Sequence, residues 1–123
     1  MPSDKQTIYI NTGGLEGVAS VYKHTSKGLH VFNDSWKKGE KPIIQWDFRS
    51  LKYKEINIAA LAFFLAIAYR VRAFMGHSQP VLLDWNPNIL SFLSDVDFFK
   101  IANSLDLFEW PYEIGGFDTG KIN

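Results

Sequence analysis

Pro42-Ile43-Ile44-Gln45-Trp46-Asp47-Phe48 is the stretch that decides the fold. Its apolar residues, Ile43, Ile44, Trp46 and Phe48, are β-branched or aromatic and crowd into a run too short for a helix, as in a strand buried at the centre of a sheet. Pro42 closes off whatever precedes it, and Asp47 emerges at the carboxyl end. Pro80-Val81-Leu82-Leu83-Asp84-Trp85 repeats the pattern. Between the two lies Ile56 to Met75, apolar on nearly all sides, with one stripe at Leu61, Leu65 and Ala68 and another at Phe63, Phe64 and Ile67. Strand, long helix, strand is a crossover unit, which pairs its two strands in parallel with a right-handed connection.

Working outward, Thr7-Ile8-Tyr9-Ile10 reads as a strand that stops at the turn Asn11-Thr12-Gly13-Gly14. Leu15 to Thr25 fits both strand alternation and helical spacing, and is read as helix. Ser26 is placed to cap a separate helix whose Leu29, Phe32 and Trp36 share a face. Lys37 and Lys38 suit its negative end, and Gly39 its C′ position. Downstream, Gly76 stops the long helix, and Asn86-Pro87 is a cap followed by proline at the first helical position. Ser94-Asp95-Val96-Asp97 reads as the start of a further helix through Phe98, Phe99, Ile101 and Ala102, its acids serving as capping charges. Leu107 to Trp110 supplies a last strand. The alternation predicts an α/β fold: a small mixed, largely parallel sheet of about four strands covered by helices. Residues 1–114 are expected to form one domain, and the Gly-rich 115–123 a tail that begins a linker.

The 123 residues amount to one domain, with 46% hydrophobic and 21% charged residues, the balance of a folded chain. Thirteen basic against thirteen acidic residues leave no net field to draw nucleic acid or an anionic membrane. With no cysteine there is neither a disulfide framework nor a thiolate site, and a cytoplasmic location is expected. The apolar Ile56–Tyr69 falls short of the ~20 residues of a membrane span and ends at Arg70 and Arg72, so it is read as a core helix. The opening MPSDKQTIYI lacks the charged start and apolar block of a signal peptide.

Ligand and partner sites in such sheets lie beyond the carboxyl ends of the strands. That edge gathers Asp47, Arg49, Glu55, Asn57, Asp84 and Asn86. No catalytic constellation stands out. His24, His30 and His77 match neither a metal spacing nor a nucleophile-and-base pattern, and Thr12-Gly13-Gly14 lacks the phosphate-loop spacing and lysine. No catalytic residue, metal or cofactor is therefore expected.

The helix at 26–38, the strand ending in Asp47, the loop Ser50-Leu51-Lys52-Tyr53-Lys54-Glu55, the helix starting at Asn57, the strand to Trp85 with Asn86-Pro87, and the helix over Leu93 to Phe99 together resemble the STAS domain. That domain occurs in anti-sigma-factor antagonists and in the cytoplasmic tails of sulphate transporters. The similarity covers residues 26–110 and extends to STAS-like modules found N-terminal to bacterial histidine-kinase-like ATPase domains. The antagonists carry Asp-Ser-Ser-Gly at the loop-to-helix junction, the second serine being the phosphate acceptor. Here the matching residues are Glu55-Ile56-Asn57-Ile58, so the acid is kept in kind and Asn57 stands where the acceptor would. The resemblance implies a bacterial, non-catalytic signalling module that binds a histidine-kinase-like ATPase or kinase domain, in the same polypeptide or another. Its partner-binding residues would be Arg49, Ser50, Lys52, Lys54, Glu55, Asn57 and Ala60, and no phosphorylation at Asn57 would release the partner.

A different class is a small-molecule sensor or enzyme whose pocket at the strand ends uses Asp47, Asp84 and Asn86, with Arg49 beside them and Trp46 and Trp85 as walls. A third is a homodimer formed through the uncharged helix.

Overall fold

A computed structural model describes residues 6–84 and 86–111. Four strands, β1 (Thr7–Asn11), β2 (Ile43–Asp47), β3 (Gln79–Leu82) and β4 (Phe108–Glu109), lie side by side in chain order and are parallel throughout. The α/β architecture is as predicted, with no antiparallel member among the described strands. The crossovers are α1 (Val18–Lys37), α2 (Ile58–Met75), and the pair α3 (Pro87–Asp95) and α4 (Phe98–Ser104).

Side chains alternate cleanly across the sheet. Ile8, Ile10, Ile44, Trp46, Gln79, Val81 and Phe108 are buried, and the register aligns Ile10, Trp46 and Val81 in one row. All the helices pack on this face. Gly28 of α1 abuts Ile10, Phe64 of α2 meets Trp46 edge-on at 5.1 Å, and Phe98 of α4 stacks on Phe108 at 6.0 Å. Successive right-handed crossovers between neighbouring strands demand this one-sidedness. The opposite face presents Tyr9, Asn11, Gln45, Asp47 and Leu82, none of them buried, and no described helix covers it.

At the centre of the core, Phe48, Phe64 and Phe108 meet pairwise, ring centroids 5.4–5.9 Å apart. The pairs with Phe48 are edge-on and Phe64–Phe108 is stacked, and such aromatic pairs add ~0.5–1.5 kcal/mol each beyond the area they bury. The second stripe read on α2 is thus largely core. Phe64 is fully buried, and Phe63 and Ile67 are partly buried against the same cluster. α2 has the length and mean hydropathy (1.8) to cross a membrane, and its all-round apolar look comes from alanines together with the exposed Ile58, Tyr69 and Phe74. Ala59, Ala62, Ala66 and Ala73 occupy exposed positions, while Leu61, Phe64, Ala68 and Val71 face the sheet.

Three local expectations are corrected. No second helix starts at Ser26, because α1 runs unbroken from Val18 to Lys37. In the polar stretch around Thr25, the buried hydroxyl is satisfied inside the helix, donating back to the Val21 carbonyl at 2.6 Å. Gly28 remains because the helix there lies directly on Ile10. Second, β3 ends at Leu82 rather than continuing through Asp84, and Trp85 lies outside the described residues. Third, neither Asp95 nor Asp97 caps α4 with its side chain, although Asp97 is the residue at the N-cap position. Asp95 is the last residue of α3, and Asp97, at φ 62°, turns the corner in the left-handed region without a side-chain cap bond. The tail expected at 115–123 also lies outside the described residues.

Candidate functional site

The loop joining β2 to α2 is built from short, defined contacts. Phe48 prolongs the ladder, its N–H donating to the Leu82 carbonyl at 2.8 Å. The Leu51 side chain is buried and anchors the middle of the loop. Tyr53–Glu55 forms a 3-10 turn, with the Glu55 N–H donating to the Lys52 carbonyl at 2.9 Å. Asn57 then serves both of its neighbours. Its N–H donates to the Leu15 carbonyl at 2.8 Å, and its side-chain oxygen accepts from the Ala60 N–H at 3.0 Å. The cap is worth about 1 kcal/mol to α2. Leu15, fully buried, holds φ 55°, a conformation bulky residues rarely adopt. The fold thus tolerates local strain beside the start of α2.

On the open face of the sheet, the Asp47 carboxylate accepts from the Arg49 N–H at 2.9 Å and from its guanidinium at 3.0 and 3.2 Å. The arginine side-chain bond is the main cause that holds Asp47 below the usual aspartate range, against the opposing cost of its burial. Asp47 in turn pushes the Arg49 pKa up, with a smaller contribution from Asp84. Of the residues expected at the strand ends, the structure therefore pairs Asp47 with Arg49, while Asp84 contributes only to the field at that arginine. Asn86 is occupied as the α3 cap, accepting from the Asn88 and Ile89 N–H groups at 3.0 and 3.3 Å.

Arg49, Ser50, Lys52, Lys54, Glu55 and Asn57 are all exposed, as a partner-binding role requires. Ala60 is corrected: it is fully buried and offers a partner no surface. Lys52 and Glu55 face each other loosely at 3.9 Å, and Lys54 has no ion-pair partner among the described residues. Two further residues lie within the loop 49–57 and the first turn of α2 without being among the expected partner-binding residues. Tyr53, 47% exposed, leans edge-on against Phe92 at 6.0 Å, and Ile58, 56% exposed, follows the cap directly. The available signal was an aromatic between two lysines and a large apolar residue in a first helical turn. Each adds an exposed apolar group to the charged loop, the kind of group from which interfaces draw much of their affinity.

A polar concavity of about 270 Å³ adjoins the loop at the carboxyl end of β1. Ser50 and Lys52 line it from one side, and Asn11, Gly13, Gly14, Ser20 and His24 from the other. Asp47, Asp84 and Asn86 do not. Strand order does not reverse among the described strands, so they form no crevice of the kind that a topological switch point opens in nucleotide-binding sheets. Among the described residues, no group of acidic or histidine side chains is placed to hold a metal ion.

Set beside known proteins, the chain matches no protein-family model, no curated protein and no solved structure.

Proposed function

We propose that this chain is a non-catalytic regulatory module of the anti-sigma-factor-antagonist kind, which binds a histidine-kinase-like ATPase domain through the loop 49–57 and the first turn of α2. The observation that carries the reading is the state of Asn57. It is exposed at a helix start, its side chain is engaged as the cap, and unlike serine it offers no hydroxyl for phosphate. Phosphate there would place about −1.5 to −2 charges in the interface; asparagine keeps the surface permanently in its unmodified form. Lys54 supplies orientation, and the exposed Tyr53 and Ile58 supply area. The STAS resemblance supplies the class of partner, and the in-order parallel sheet is compatible with it.

The test is binding of the chain to purified histidine-kinase-like ATPase domains from the same cell, followed by light scattering. A mixed complex is expected that Asn57→Asp weakens about tenfold or more, while Asn57→Ser binds like the parent. Asp is a good cap and suits a helix N-terminus, so the variant keeps its fold and any loss belongs to the interface. Binding unaffected by Asn57→Asp would defeat the reading. The concavity beside Ser50 and Lys52 favours a second one, a sensor of a small polar ligand, which would show as saturable binding lost in Lys52→Ala.

A further inference from the structure

We infer that the groove between the C-terminal halves of α1 and α2 binds a small amphipathic carboxylate, an alkyl chain with an acid head, at the end of the sheet opposite the loop 49–57. The groove measures about 360 Å³. Its floor is Ile44, and its walls are Phe32 from α1 and Ile67, Val71 and Phe74 from α2. Among the described residues, Asn33 and Arg70 are the only polar side chains that line it, and no carboxylate does.

Charge decides the head group. The sequence has three arginines. Arg49 is paired with Asp47 and Arg72 with Asp106, whereas Arg70 has no ion-pair partner among the described residues. A guanidinium left without an anion at the rim of an apolar slot matches a carboxylate on an apolar chain. Packing decides the body. Phe32, Trp36 and Phe74 meet one another at 5.2–6.2 Å and form a firm end wall, yet Phe74 remains 60% exposed. Apolar area held open in this way gains from being covered.

Size favours a small molecule over a protein. From Ile67 to Phe74 the wall runs only about 10 Å along a helix about 10 Å across, an area on the order of 100 Å² and far below the roughly 800 Å² per partner of a stable protein interface.

The experiment titrates the full chain with decanoate and with decanol, its neutral counterpart, by calorimetry, and follows the methyl resonances of Ile44, Ile67 and Val71. Saturable one-to-one binding of decanoate is expected, with shifts at those methyls. Decanol and the Arg70→Ala variant should each lose about tenfold or more in affinity, the worth of a charge-assisted hydrogen bond. Arg70 is exposed, so the variant keeps its fold. Four results would overturn the inference: no saturation below millimolar; equal affinity for acid and alcohol with Arg70→Ala unchanged; shifts of those methyls that depend on protein concentration alone, which would make the groove a self-association face; or binding seen only with phospholipid vesicles.

Discussion

Single side chains set the limits of this fold, and Gly28 does so most sharply. A Cβ there would lie 2.7 and 2.9 Å from two carbons of the buried Ile10 side chain. Alanine would gain about 1 kcal/mol in helix propensity, against a cost of overpacking typically 1–3 kcal/mol. Gly28→Ala is therefore expected to lower stability on balance, and its cost to shrink in an Ile10→Ala background, where both clashing Cγ carbons are gone, both read from denaturant midpoints. A rise in stability with Gly28→Ala alone would mean that α1 does not sit so close to β1. At this scale the sequence is legible wherever the chemistry is local. Asn57 and Asn86 were readable as caps because a cap depends on the next three residues and little else. Gly28 was not, because its role comes from a strand 18 residues away in the chain.

Among the elements, the same contrast explains which boundaries were readable. β1, β2 and α2 stand out by composition and are stopped by glycine, proline or asparagine. The join inside α1 was misread because Thr25, Ser26 and Gly28 have the composition of a boundary, and their helical state is imposed by packing on the sheet. A proline distinguishes the two readings. In an unbroken α1, Ser26→Pro removes a backbone hydrogen bond in the helix interior and clashes with the preceding turn, at a cost of about 3 kcal/mol or more. At a helix start it would be tolerated. A fall in thermal midpoint of only a degree or two would show that α1 is interrupted there. The α3–α4 corner was misjudged for a related reason. Asp97 stands at the N-cap position of α4, but the left-handed corner it also makes, at φ 62°, leaves its side chain without a cap bond, and no sequence pattern records that geometry.

For the molecule as a whole, the consequence of four parallel strands in chain order is a division of labour between surfaces. One face of the sheet holds the aromatic core, and the other has no described helix over it. The ends also differ: the carboxyl end carries the loop 49–57 and the polar concavity, the amino end the apolar groove. The α/β class and the position of the loop followed from alternation and strand-end logic. The concavity and the groove did not, because each is assembled from elements whose spacing no sequence pattern records. Parallel sheets are usually covered on both faces, so the open face competes with the loop as the place where a partner would sit. The measurement that separates them is an amide shift map of the isotope-labelled chain as a histidine-kinase-like ATPase domain is added. Perturbations concentrated from Arg49 to Ala59 are the result expected of the interaction module proposed here. Perturbations centred on Tyr9, Gln45 and Leu82, with the loop unchanged, would contradict it.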